Sequence, residues 1–262
     1  MIYTVTLTPA LDKTVVIPDF TVDHVNRIRT VRLDPGGKGI NVSKVLKALG
    51  MESVATGILG GGTGRFIRDR LDEMRIAHDF VTVPDETRTN LKVIDDVRNT
   101  HTDINEPGAP ADPAVLDRVL SGLLSSVQPG DRVVLAGKAP AGAPDTLFGE
   151  WILALKARGA LPYLDADASL LVHGASAGPE MIKPNDEELG RLTGRSFKNL
   201  EEIASAARAL GEGGVHTVAV SLGADGALFY RNGALLRGAG LHVPVGSTVG
   251  AGDAMMAAFC YG

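Results

Sequence analysis

Six short apolar runs alternate with stretches of helical periodicity along most of this chain, and that alternation limits the fold more than any other feature. The runs are Ile2–Leu7, Ser53–Ile58, Arg132–Ala136, Pro162–Asp165, Met181–Ile182 and Thr217–Ser221. Helical patterns lie between and after them, near 39–49, 64–74, 113–126, 145–158, 185–192 and 200–211. Parallel strands need a crossover of a dozen residues or more, which a helix supplies, so the expected fold is α/β with a mostly parallel sheet covered on both faces. In such sheets ligands bind at the carboxyl ends of the strands. Two stretches, 14–33 and 88–103, have extended, alternating character with no helix between their strands.

At 262 residues the chain can bury one large core, and 44% hydrophobic with 22% charged residues is ordinary for a globular protein. A single domain is expected. The net charge of −5 has no basic block behind it, which argues against nucleic acid and favours a small-molecule partner. Cys260 is the only cysteine, so no intrachain disulfide can form, and the six histidines show no helical i,i+4 pair of the kind that binds metal. No apolar run is long enough to cross a bilayer and the start lacks a signal-peptide layout, so a cytoplasmic location is expected.

Two glycine clusters carry the chemistry. Ser247-Thr-Val-Gly-Ala-Gly-Asp253 precedes the small, apolar run Ala254–Phe259. Small residues let backbone N–H groups converge, and a helix starting there aims its positive end at the same point. The result is an anion hole with a carboxylate beside it. Fixed donors can stabilise a phosphoryl group in transit while Asp253 takes the proton of an attacking hydroxyl. The same pattern is also common at tight strand-to-helix turns, so it does not decide alone. The second cluster, Pro35-Gly-Gly-Lys-Gly-Ile-Asn41, opens an amphipathic stretch that stops at Gly50. There Gly37 allows close approach, Lys38 supplies a cation and Asn41 a side-chain amide, a set suited to a polyol phosphate.

With these residues in place the chain resembles a ribokinase-type sugar kinase of the PfkB family. Gly36-Gly37, Asn41, Gly50 and Gly60 match the family's N-terminal signature, and Gly250-Ala251-Gly252-Asp253 its C-terminal one. Lys183-Pro-Asn-Asp-Glu-Glu188 and Val220-Ser-Leu-Gly-Ala-Asp-Gly226 match its two nucleotide-side motifs. The resemblance implies a three-layer sandwich with a small β lid made by the two irregular stretches, and a homodimer clasped through that lid. It further implies ATP and Mg2+, with no direct protein ligand to the metal and Glu188 acting through water.

For the acceptor, the resemblance implies that Asp12, in Thr8-Pro-Ala-Leu-Asp12, accepts bonds from sugar hydroxyls, with Thr8 standing where the family has asparagine. Asn41 joins it in orienting the sugar. Arg27 on the first lid segment is a phosphate contact of the family, although taken alone it reads as a solvated surface residue. Arg88 suits bidentate phosphate binding, and strand alternation puts Arg88, Asn90 and Lys92 on one face. Lys38, Arg88 and Lys92 together favour an acceptor that already bears phosphate. The chain is most similar to the branch acting on ketohexose phosphates, leaning to fructose 1-phosphate over tagatose 6-phosphate. Lys138 stands where the branch has a small hydroxyl, and either contacts phosphate or faces solvent.

On the nucleotide side Lys183, Asn185 and Glu188 are expected near the phosphates, with Asn185 as a helix N-cap. Ser221, Gly223 and Gly226 form the turn under ATP, and Thr248 sits near its phosphates. Asp165 closes a strand at the cleft edge, where capping the next segment is its expected role. Gly60–Gly64 reads as a substrate-side loop rather than a dinucleotide fingerprint, and the Walker motif is absent. The family continues through further helices beyond position 262, so a shortened chain is expected, and a sugar-phosphate-binding protein without catalysis is the alternative outside enzymes. A dinucleotide-dependent oxidoreductase ranks behind both.

Overall fold

A computed structural model of the protein describes residues 1–110, 112–241 and 250–261. Its chain begins with β1 (Ile2–Thr6), β2 (Ala10–Val16) and β3 (Thr30–Gly36), followed by α1 (Lys38–Ala48), β4 (Val54–Gly60) and α2 (Gly61–Glu73). Then come β5 (Ala77–Val83), β6 (Thr89–Asp95), β7 (Thr100–Asn105), α3 (Pro113–Ser126), β8 (Arg132–Gly137), α4 (Leu147–Ala157), β9 (Leu161–Ala166) and α5 (Ala168–Ser176). The last part holds β10 (Met181–Ile182), α6 (Asp186–Thr193), α7 (Leu200–Glu212), β11 (Thr217–Ser221), β12 (Ala227–Arg231), β13 (Ala234–Gly238) and α8 (Ala251–Tyr261).

Nine strands form one sheet in the order β13-β12-β11-β10-β9-β8-β1-β4-β5. From β11 to β5 every pairing is parallel, and the β11-β12-β13 meander is antiparallel. Alternate residues of the central strands serve two cores. Val133, Leu135, Val218 and Val220 pack on one face, in a cluster that takes in residues of α3, α4, α6 and α7. Val134, Ala136 and Ala219 point the other way, among residues of α1 and α8. A third cluster joins α2 to the β4–β5 end. This is the expected three-layer α/β sandwich of ribokinase-like form, with strand periodicity assigning each side chain its layer.

The lid is a separate four-stranded sheet, β3-β2-β6-β7, with β2 and β6 parallel. Its strands begin earlier than expected: β2 starts at Ala10, so Asp12 lies on a lid strand. The carboxylate of Asp95, 2% exposed, accepts backbone N–H bonds from Asp19, Phe20, Val97 and Arg98. That one side chain ties the connection after β2 to the turn after β6.

Strands and helices that lacked a clean period were not foreseen. β5 is an edge strand of mixed polarity with one buried residue, β12 and β13 form the opposite antiparallel edge, and α5 is a short helix of small residues.

β1 and β4 pack so closely that Gly57, at φ 139°, has no room for a side chain: a Cβ there would lie 1.8 Å from the Thr6 carbonyl oxygen. Backbone would have to move, so Gly57→Ala is expected to cost about 3 kcal/mol or more. A thermal or denaturant melt checks this, and an unchanged midpoint would contradict it.

Candidate functional site

Side chains from both sheets meet in a cavity of about 480 Å³ at the carboxyl ends of β1, β8 and β9, under the lid. On one wall, Gly37 at φ 121° leads into α1, where an added Cβ would strike the Thr6 methyl at 2.5 Å. That turn places Lys38 and Asn41, one helical turn apart, toward the cavity. The opposite wall is the start of α8. Gly250, at φ 83°, turns the chain, and its carbonyl accepts from Ala254 N at 2.9 Å. N–H groups of the first turn then lack intrahelical acceptors and carry the positive end of the helix dipole. Gly250, Gly252 and Asp253 line the cavity, whereas Ala251 is exposed outside it.

Asp253 is 6% exposed, and Asn41 Nδ2 donates to its Oδ2 at 2.8 Å. Burial pushes the carboxyl above its ordinary pKa and the neighbouring Asp165 adds to this, while the Asn41 bond and the charges of Lys38 and Lys183 oppose it. The amide expected to orient a sugar is thus spent on Asp253.

The floor is ionic. Asp165, 2% exposed at the end of β9, accepts from Lys38 Nζ at 3.1 Å through one oxygen and lies 3.1 Å from Lys183 Nζ through the other. Lys183 is 5% exposed and has no other ion-pair partner among the described residues. Asp165 therefore does not cap the next segment, as its place in the sequence suggested; it joins two lysines from different walls. Asp167, unforeseen, accepts a second bond from Lys38 at 2.9 Å. Burial works against the Lys38 ammonium, but the two carboxylates prevail and raise its pKa.

On the lid side, Asn90 Nδ2 donates to Asp12 Oδ1 at 2.9 Å, and Arg88 Nη1 donates to Asn90 Oδ1 at 3.0 Å. Arg88 also donates to the Thr8 and Glu106 carbonyls, which fixes its fork at the cavity edge. Lys92 does not join them. It sits 3.7 Å from Asp103, its direct cross-strand partner on β7, and does not line the cavity. The same-face expectation for Arg88, Asn90 and Lys92 therefore holds for the first two alone, because a carboxylate opposite Lys92 holds it away. Arg27 is exposed in the connection between β2 and β3, outside the cavity.

At the other end, Asn185 caps α6 as expected: its side chain accepts from Glu188 N, and Glu188 Oε2 accepts from Asn185 N. Both residues and Ser221 line the cavity. Gly223 and Gly226 lie outside it, in a single 3-10 turn between β11 and β12. Thr248 lies outside the described residues. Lys138 lines the rim with its ammonium 3.9 Å from Asp167. The glycine cluster 60–64 is not a ligand loop of this cavity. Its helix start is already filled by Glu86, which accepts from Gly62 N and Thr63 N and whose pKa those bonds lower.

The described residues contain no group of His, Cys, Asp and Glu able to hold a metal by themselves, and no helix among them is long and apolar enough to cross a membrane. The cavity instead offers convergent cations, a helix start and a buried carboxylate, which is what moving a phosphoryl group onto an alcohol requires.

Known proteins agree with this chemistry. The sequence pattern of the pfkB family carbohydrate kinases matches residues 6–262. The chain is 39% identical to the 1-phosphofructokinase of Rhodobacter capsulatus over 98% of its own length and 81% of that protein, and 37% identical to that of Bacillus subtilis over 100% and 85%. Phosphofructokinase-2 from Escherichia coli in complex with fructose-6-phosphate shares the fold at TM-score 0.93 and 28% identity, over 99% of this chain and 86% of that one. The chain belongs to the pfkB family of carbohydrate kinases.

Proposed function

We propose that this kinase transfers the γ-phosphoryl group of MgATP to the C6 hydroxyl of fructose 1-phosphate, forming fructose 1,6-bisphosphate. The observation that carries the reading is Asp253: a buried carboxylate, one oxygen pinned by Asn41, at the first turn of a helix whose free N–H groups face the same cavity. Asp253 accepts the hydroxyl proton while the helix start stabilises charge on the transferring group. Asp12 and Asn90 orient the sugar hydroxyls, and Lys38 and Arg88 hold the acceptor phosphate with Lys138 at the rim. Asn41 acts on the base and not on the sugar.

Lys183, Asn185, Glu188 and Ser221 form the nucleotide side, with Thr248 proposed beside the phosphates. Glu188 has one oxygen committed to the cap of α6, and the other makes no hydrogen bond to the described residues. That fits an ion which keeps most of its waters and needs few protein ligands. Magnesium, held through water by Glu188, would neutralise charge on the nucleotide phosphates. The lid supports pairing with a second copy: Val22, Val25, Ile28, Val31 and Ile104 are exposed on it, and self-association would cover them.

An ADP-release assay with MgATP and a panel of fructose 1-phosphate, fructose 6-phosphate, tagatose 6-phosphate and unphosphorylated sugars tests the reading. Fructose 1-phosphate is expected to be turned over with the highest kcat/KM, and a preference for tagatose 6-phosphate would replace it. Asp253→Asn should lower kcat about 10²- to 10⁴-fold with KM little changed; near-normal turnover would remove Asp253 as the base. Since the base works ionised, activity is lost as pH falls through its pKa, which lies above the usual 3.8. Asn41→Ala deletes a bond that favours the ionised form, so the acid limb of the kcat/KM profile should move to higher pH. A limb at lower pH would contradict the assignment.

A further inference from the structure

Asp167 occupies the N-cap position of α5 with extended backbone, φ −93° and ψ 153°, where an aspartate ordinarily turns its carboxylate onto the first free N–H groups of the helix. It makes no such bond. Instead Oδ1 accepts from Lys38 Nζ at 2.9 Å and Oδ2 lies 3.9 Å from Lys138 Nζ, one oxygen toward each cation. To a pair of ammonium groups a carboxylate and a phosphoryl group offer the same thing, an anion with divergent oxygens. The two lysines thus define an anion seat, and the protein's own side chain is in it.

Charge balance makes the occupancy consequential. Lys38, Arg88, Lys138 and Lys183 face the cavity with Asp12, Asp165, Asp167, Asp253 and Glu188, so the carboxylates outnumber the cations. A phosphate entering that surround gains little until one carboxylate yields. Asp165 is 2% exposed and pinned by two lysines, whereas the Asp167 side chain is 31% exposed at the rim, and the Lys138 side chain beside it 72%. Asp167 also has somewhere to go, since the uncapped start of α5 offers N–H groups to a carboxylate released from the lysines.

We propose that Asp167 is a placeholder for the acceptor's phosphate: it holds the seat between Lys38 and Lys138 in the free protein and cedes it to the sugar phosphate. It thereby sets both the affinity and the selectivity for a phosphorylated acceptor. The inference rests on the reading that the acceptor is a sugar phosphate, and it makes Lys138 a phosphate contact that Asp167 masks.

Calorimetric titration and steady-state kinetics on the full chain test it, with fructose 1-phosphate, inorganic phosphate and MgATP as probes. Asp167→Asn keeps the shape and capping capacity and removes the charge. Fructose 1-phosphate and inorganic phosphate should each bind about three- to tenfold more tightly, as expected for freeing partly exposed charges, while the KM for MgATP stays put. Lys138→Met should do little in the native background but reverse the gain in the Asp167→Asn background, a non-additivity that a merely structural Asp167 would not produce. Unchanged or weaker binding of both anions in a folded Asp167→Asn protein, tightening of MgATP instead, or simple additivity with Lys138→Met would overturn the proposal. Asp167→Ser serves if the first variant does not fold. A native protein that ignores fructose 1-phosphate would sink the assigned substrate, and the inorganic phosphate titration would still decide the role of Asp167.

Discussion

Everything in the site depends on one buried carboxylate held between two lysines. Asp165 closes β9 with almost no exposure and meets Lys38 from α1 and Lys183 from the end of β10. Burying charges costs several kcal/mol each unless they are paired in good geometry. Lys183 has no other ion-pair partner among the described residues, so its burial is tolerable only because Asp165 is there. An added Cβ at Gly252 would lie 3.2 Å from Lys183 Nζ, which makes the same ammonium a spacer under the start of α8. The anion hole, the base and the acceptor wall are therefore mechanically one cluster, built on strand ends that the parallel sheet brings side by side.

The base inherits its properties from that cluster. Asp253 is buried and lies near Asp165, and both effects favour the proton, while Asn41, Lys38 and Lys183 favour the charge. A group balanced in this way accepts a proton more readily than a free aspartate yet remains ionised near neutrality. On the other side the lid is rigid where it matters: the Asp95 knot fixes the connections after β2 and β6, and the Asp12–Asn90–Arg88 chain of hydrogen bonds spans the parallel strand pair above the cavity.

How much of this was legible in the sequence follows from distance along the chain. The strand-helix alternation reports the central sheet because each period is local, and the capping box Asn185–Glu188 is visible because its partners are three residues apart. The glycine-rich starts of α1 and α8 were readable for the same reason. Partnerships across the fold were not. Lys38 and Asp165 are 127 residues apart and Asn41 and Asp253 are 212, so nothing local reveals that Lys38 is already paired or that Asn41 serves a carboxylate. Lys92 failed for a related reason: strand alternation gives a face, but the cross-strand neighbour Asp103 decides where a long side chain goes. Asp167 carried one faint signal, an aspartate just before a helix start, and that signal pointed to capping instead of to Lys38.

The most direct test of the account is turnover and thermal midpoint measured together on Asp165→Asn and on Asp165→Asn combined with Lys183→Met. The single variant leaves a buried ammonium without its partner, so it should lose about 3–5 kcal/mol of stability and most of its turnover. The double variant removes both charges and should recover much of the midpoint while remaining inactive, because the fold tolerates a neutral pair and the phosphoryl site does not. Near-native turnover in either protein would contradict the claim that this ion cluster organises the site.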